Sequence, residues 1–515
     1  MGLSMSSTLL LRNCLLWPSA ASDSDALLIR DGKIVWIGRS DDAPQAGRII
    51  DAGRHTVLPG LTDAHIHLYA MAQGQLSLDL SPAKVPTSVD AVAKIGQAER
   101  ALPRGDAWLV ASGYDEQRMT DWRLIERPEL DSISEERPLV VRRFCGHVAM
   151  ANSKALRLAG LESEDGVLRG QLAHRLFGAI PKQDVETRAE AIRACAKRML
   201  RYGVTAATEA AVGFTDGFDE EWKVWEHIRA GATFPLRMSF MLRLDAEEAL
   251  SRGLKPGRPD ANWQVRTLKF FADGITGQHT AALNEPYADR PDFRGDLMRS
   301  PEELRAAFRQ CQLDGWQVAS HAIGDRAIDV VVEAMVDAVS VDPARSQRAR
   351  VEHVARPTAT ALLRMHEKGI WAVPQYGFIH SIGDGFAPRL GEARAQEAYP
   401  GRSLLTRGIS VAGSSDAPSG PESPFVGIAT ARSRKTLSGR MINQAEAMSV
   451  EEALSIYIHG GAESMEQSLL RGTLAIGMAA DIAILDRDIR QASDEDLMQT
   501  TSVVTIVRGE ILHSA

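Results

Sequence analysis

The chain has 515 residues, of which 44% are hydrophobic and 24% charged, with a formal net charge of −8. That length exceeds one small core and calls for two or more domains, in a composition ordinary for a soluble globular protein. The acidic balance, with no basic stripe interleaved with aromatics, excludes nucleic acid as a partner, and no run reaches the roughly 20 apolar residues of a membrane span.

At the N-terminus Met1 to Ser7 is uncharged and Leu9-Leu10-Leu11 is cut short by Arg12-Asn13, so no export signal is expected. Residues 8–58 read as short strands. Leu27 to Gly38 carries an Asp31-Gly32 turn between two strand-like runs, a strong hairpin signal. Next comes Leu58-Pro59-Gly60-Leu61-Thr62-Asp63-Ala64-His65-Ile66-His67-Leu68. In an extended segment, side chains two residues apart share a face, so His65 and His67 are placed to close on one divalent ion.

Further along, apolar strand candidates alternate with helical patterns. The strands are 107–112, 139–141, 265–270, 317–320, 369–373 and 409–413, and the unit around Gly203 to Glu209 adds another. The helices are Val185 to Tyr202, Glu220 to Arg229, Pro301 to Asp314, Asp325 to Val339, Thr358 to Lys368 and, last, Gln444 to His459. Such alternation argues for an α/β fold with parallel strands. Polar residues confined to strand C-terminal ends fit a (β/α)8 TIM-like barrel at 59–469, whose loops beyond those ends form the site. Residues of about 70–190 break the rhythm and read as an inserted α+β subdomain over the barrel mouth. Strands at 480–486 and 503–511 resemble the N-terminal ones in pattern. Residues 1–58 and 470–515 are therefore expected to form one small β-sandwich domain, two separate edge hairpins being the alternative. The cysteines, Cys14, Cys145, Cys195 and Cys311, have no paired spacing and read as reduced thiols of a cytoplasmic protein.

Four more segments put a ligand-type residue beside or after an apolar strand. Lys269 lies inside Thr267-Leu268-Lys269-Phe270-Phe271, where a charged amine is costly to bury. Reaction with carbon dioxide would make it an anionic oxygen ligand, N6-carboxylysine; snorkelling to the rim or pairing with Asp273 is the alternative. His321 follows Val318-Ala319-Ser320, His353 follows Ala349-Arg350-Val351-Glu352, and Asp416 follows Val411-Ala412-Gly413-Ser414-Ser415. Each residue is a weak signal singly. Jointly, four histidines, a possible carbamate and an aspartate suit Zn2+, with manganese, iron or cobalt possible, as one ion or two. A metal-bound water then attacks a carbonyl, and Asp416 takes its proton and passes it to a leaving nitrogen.

PGLTDAHIHL, LKFFADG, SHAIGD, RVEHV, GSSDAP and GTLAIGMAADIAILDRD together resemble the amidohydrolase superfamily. The likeness is closest to its large-insert branch, amidohydrolase family 3, which includes N-substituted formamide deformylases. The resemblance implies a metal-dependent hydrolase of a carbon–nitrogen bond in a small amide, formamide or cyclic amide. In it His65 and His67 hold the more buried metal, carboxylated Lys269 bridges, His321 and His353 hold the second metal, and Asp416 is ligand and general base. It also places Tyr114 and His147, from the insert, near the substrate; for His147 a helix-capping role competes. Gln278 and His279, also expected at the substrate, stand where the branch often has serine-arginine, which puts bidentate carboxylate recognition there in doubt. Glu209 either orients a ligand or pairs with Arg201, and Trp108, Trp122 and Phe144 either make the pocket apolar or belong to the core. An esterase, lactonase or carbamate hydrolase on the same site is one alternative, and a non-catalytic metal-binding regulatory protein another. A homodimer is expected from the resemblance only.

Overall fold

Asp31 and Gly32 make the expected turn, both with left-handed φ, 50° and 73°, the geometry that matches the twist of the flanking strands. Ala26–Arg30 and Lys33–Gly38 pair antiparallel around it. Glycine is required for a second reason: a Cβ at Gly32 would lie 2.8 Å from the Arg508 carbonyl oxygen in the C-terminal hairpin. The computed structural model describes residues 8–18, 23–103, 105, 107–144, 146, 148–260, 262–340 and 349–515.

The two chain ends build one sandwich rather than separate hairpins. One sheet runs Lys33–Gly38, Ala26–Arg30, Thr8–Arg12, Arg48–Asp51, and the other Leu15–Leu16, Thr56–Pro59, Ile482–Leu485, Ser502–Val507, Glu510–Ser514. Alternate residues of both, among them Leu9, Leu11, Leu27, Ile29, Val57, Ile482, Ile484 and Ile506, share a single buried core, as period-two patterning requires.

Seven parallel strands form a near-closed barrel: β1 (Leu61–Ile66), β2 (Val204–Val212), β3 (Arg237–Leu242), β4 (Trp263–Phe271), β5 (Gln317–Ala322), β6 (Arg350–His353) and β7 (Trp371–Val373), adjacent in sequence order. The segment expected as a strand at 409–413 is no regular strand. It makes a single parallel bridge, Ala372 to Val411. Ala412 N donates to Ala372 O, Ala64 N to Gly413 O and Asp416 N to His65 O, so it spans the gap between β7 and β1. Strand β3 has no counterpart in the sequence reading. The strands expected at 107–112 and 139–141 are not barrel staves. Leu109–Tyr114 and Leu139–Arg143 sit in a five-stranded mixed sheet with Leu78–Asp79, Val148–Ala151 and Val167–Arg169. That sheet has separate apolar clusters of its own. It lies in a compact unit of Leu68–Cys195 and Lys223–Gly231, the barrel and sandwich falling in the other unit.

Helices Val185–Leu200, Phe218–Ala230, Pro301–Leu313, Asp325–Val339 and Ala359–Lys368 lie within two residues of their expected bounds. The exception is 444–459. Gln444–Glu446 is a separate 3-10 turn. The helix begins at Val450, after a capping box in which Ser449 and Glu452 satisfy each other's backbone N–H groups, and it continues through a π turn at Ile456–Gly460 to Ser464. Ser449-Val450-Glu451-Glu452 is a readable start signal. Replacing Ser449 by alanine is expected to cost about 1 kcal/mol, read as a shift in urea midpoint. A shift no larger than that of Gln444→Ala would count against this start. Among the described residues, no helix is long and apolar enough to cross a membrane.

Candidate metal centre

Strand β1 carries His65 beside its last residue, His67 follows directly after it, and the strand-like segment beside it ends in Asp416. The Asp416 Oδ1 lies 3.3 Å from His65 Nε2 and 3.1 Å from His67 Nε2. His353, the last residue of β6, brings its ring to 5.1 Å from that of His65, and His321 on β5 stands 4.4 Å from His353, centroid to centroid. Ligand atoms of His65, His353 and Asp416 all fall within 4.8 Å of one another. The backbone is strained here: His353 and Asp416 hold φ of 75° and 53°, and the β-branched Val354 holds 45°, conformations that typically cost about 1–3 kcal/mol each.

The partners behind these rings fix which nitrogen faces the centre. His65 Nδ1 lies 2.5 Å from Glu352 Oε2, a carboxylate that Arg350 also holds, at 2.5 Å. His353 Nδ1 lies 2.7 Å from Gln375 Oε1, whose own amide nitrogen donates to Val373 O and Ser414 Oγ, so this oxygen only accepts. Both rings therefore carry their proton on Nδ1 and turn an Nε2 lone pair inward. His321 is the reverse: Nε2 is 3.0 Å from the Gly274 carbonyl oxygen and must donate, leaving Nδ1 as the free lone pair. The Asp416 Oδ1 is buried and receives no well-formed hydrogen bond. An Nε2 lone pair and a carboxylate oxygen at 3.3 Å repel unless a cation lies between them. The residues fit a divalent ion.

Electrostatics agree. Burial pushes His321 down to about 4, helped by the Lys269 charge, and holds His353 well below its ordinary range with His321 as second cause. Burial also lowers His67. Neutral imidazole is the form that binds metal. Burial acts to raise the Glu352 carboxyl, yet Arg350 and the His65 N–H hold it low and anionic. Lys269 is 2% exposed, and desolvation brings its amine down to about 8 against the attraction of Glu352 and Asp416. Its Nζ lies 5.3 Å from the Phe271 ring centroid. Asp273 is engaged elsewhere, accepting from Ala282, Ile323 and Gly324 N–H groups.

Tyr114 and His279, expected at the substrate, have hydrogen-bond partners of their own. Tyr114 is fully buried in the core of the inserted unit, where its hydroxyl donates to Arg123 O at 2.6 Å. His147 lies outside the described residues. Gln278 ends a 3-10 turn after β4, and His279, at φ 59°, sets Nε2 3.0 Å from both Asp289 oxygens with its ring against Tyr287. Glu209 is buried within β2. Trp108 packs on one of the inserted unit's apolar clusters, whereas Trp122 and Phe144 are exposed. The sequence reading missed Glu352 and Gln375. Strand alternation sets Glu352 and His353 on opposite faces; the positive φ at His353 breaks that alternation and both turn inward. Gln375, just past β7, carried no signal beyond its place after Pro374.

Comparison with known proteins agrees with this site. A model described as the amidohydrolase family matches residues 48–513. The chain is 28% identical over 516 residues to putative amidohydrolase YtcJ of Bacillus subtilis, covering 95% of this chain and 96% of that protein. It is 24% identical over 526 residues to the N-substituted formamide deformylase of Arthrobacter pascens, covering 95% and 94%. The crystal structure of an uncharacterized metal-dependent hydrolase from Pyrococcus furiosus superposes with a TM-score of 0.77 at 26% identity, over 94% of this chain and all of that one. A metal-fitting site at the C-terminal ends of barrel strands, with a family match over almost the whole sequence, places this chain in the amidohydrolase family as a metal-dependent hydrolase.

Proposed function

We propose that the chain cleaves the carbon–nitrogen bond of a small non-peptide amide, N-substituted formamides and cyclic amides being the first to test. His65, His67, His321, His353 and Asp416 are the ligands and Asp416 the general base. One observation carries this: buried ligand atoms of His65, His353 and Asp416, from separate strand ends, lie within 4.8 Å of one another, and Glu352 and Gln375 hold the two rings from behind. A divalent ion supplies Lewis acidity there, acidifying water and polarising the substrate carbonyl. Asp416 accepts the water proton on Oδ1 and delivers it to the leaving nitrogen, while Glu352 and Gln375 keep the imidazoles aimed. Nitrogen and oxygen donors suit zinc first. The formamide suggestion comes from the Arthrobacter relative.

Lys269 enters as N6-carboxylysine. With its amine at about 8, a usable fraction is neutral near pH 7. The nitrogen lone pair attacks carbon dioxide, an N–C bond forms and one proton leaves, giving an anionic oxygen ligand where a buried ammonium was costly. The three described cysteines, buried and in no disulfide, suit a reducing cytoplasm.

Metal content and intact mass of the full chain, measured with hydrolysis of matched amide and ester pairs, test the reading. About two ions, an added mass of about 44 Da and amide turnover lost on chelation and restored by zinc are expected. Turnover that survives complete metal removal overturns the reading. Cleavage of the esters without the amides transfers the reaction to a carbon–oxygen bond.

A further inference from the structure

Two phenyl rings beside the metal ligands are left partly in solvent. Phe214, on the turn after β2, is 50% exposed, and Phe271, the last residue of β4, is partly exposed. They stack at 5.4 Å with 16° between planes. Phe214 lies 5.8 Å from the His67 ring and Phe271 5.4 Å from His321. Four rings thus run in an arc from one side of the metal cluster to the other, with the Arg243 guanidinium 5.8 Å from both phenyl centroids.

The turn that carries Phe214 is built rather than loose. Glu221, 1% exposed, accepts hydrogen bonds from Gly213 N at 2.6 Å, Thr215 N at 2.6 Å and Asp216 N at 2.7 Å. Gly213 holds φ 99°, and a Cβ there would meet the Phe218 backbone at 3.0 Å. Both neighbours of Phe214 are therefore clamped by one buried carboxylate, so the exposed ring is presented in a fixed place. Leaving such a ring in water forgoes part of the roughly 1.5–3 kcal/mol its burial would yield, and a pre-organised apolar face binds without an ordering cost.

We propose that Phe214 and Phe271 are the docking face for a flat aromatic substituent of the substrate, on the acyl or the amine side of the scissile bond. This rests on the hydrolytic reading above for the word substrate; the face itself is independent of it. Arg243 braces both rings by cation–π contact, and the arc sets the aromatic group next to His67 with the amide over the ligands.

The test is equilibrium binding of product-type ligands to the metal-loaded full chain by calorimetry, in pairs of similar bulk but different flatness: benzylamine against cyclohexylmethylamine, and phenylacetate against cyclohexylacetate. In one pair the phenyl member is expected to bind about three- to tenfold tighter, the range of an aromatic pair interaction, and that pair identifies the side of the bond. Phe214→Leu, a surface change, is expected to bring the ratio to near unity. Glu221→Gln, which keeps the ring and weakens its clamp, should give an intermediate ratio. Equal binding in both pairs, or a ratio unchanged in Phe214→Leu, overturns the proposal. Absence of amide hydrolysis with the binding ratio intact would strike only the assigned reaction.

Discussion

Asp416→Asn is expected to lower kcat about a thousandfold or more, within the range for loss of a general base and equal to about 4 kcal/mol in the barrier. The substitution keeps the shape of the side chain. It removes the anionic Oδ1 that lies 3.3 and 3.1 Å from the imidazole nitrogens of His65 and His67, and an amide oxygen takes up no proton at neutral pH. Metal stoichiometry measured on the same sample separates the two roles. If ions stay bound while turnover falls, proton transfer is what was lost; if ions leave as well, the carboxylate was needed as a ligand. A variant that holds its metal and stays within tenfold of the parent would remove Asp416 from the chemistry.

The second large effect concerns stability. Arg237 opens β3 and is 4% exposed; Asp481, in the C-terminal half of the sandwich, is 3% exposed. The pair is bidentate, at 2.6 and 3.2 Å, and Asp481 also accepts the Arg508 N–H at 2.7 Å. Asp481→Ala leaves a guanidinium buried without its anion, a loss of about 3–5 kcal/mol. Urea unfolding with an unchanged slope would register it as a lowered midpoint. Combining it with Arg237→Met, which removes the stranded charge, is expected to recover most of the loss. A single variant costing less than 1 kcal/mol, or a double variant worse than the single, would refute the assignment.

That same ion pair explains why β3 escaped the sequence reading. Arg237-Met238-Ser239-Phe240-Met241-Leu242 is buried at every position, but an arginine at its head and a serine within it mimic a half-exposed edge. An anionic partner about 240 residues downstream makes the arginine tolerable there. The candidate metal-site residues His65, His353 and Asp416 were legible from their place at the ends of strand-like segments, the position that faces the site in a parallel barrel. Glu352 and Gln375 were not, because they act through dihedral angles and hydrogen bonds that no spacing encodes. Tyr114 was expected near the substrate from the resemblance of its segment alone, and its phenol donates to Arg123 O. The helix expected at 444–459 shows a third kind of limit: its start lies at the capping serine, Ser449, several residues later.

The sandwich also sets the order in which this chain can finish folding. Thr56–Pro59 pairs antiparallel with Ile482–Leu485, a partner about 420 residues later, and one glycine after that strand the ligand-bearing β1 begins. At ribosomal rates of about 5–20 residues per second, that partner emerges roughly 20 to 85 seconds after its mate. For that interval the N-terminal strands present an unpaired edge, a template for wrong pairing. The first stave of the barrel meanwhile lacks the neighbour that anchors its start. These N-terminal strands are thus among the last elements to close, and nascent chains interrupted before Ile482 would carry His65 and His67 at the end of a strand with an unfinished base.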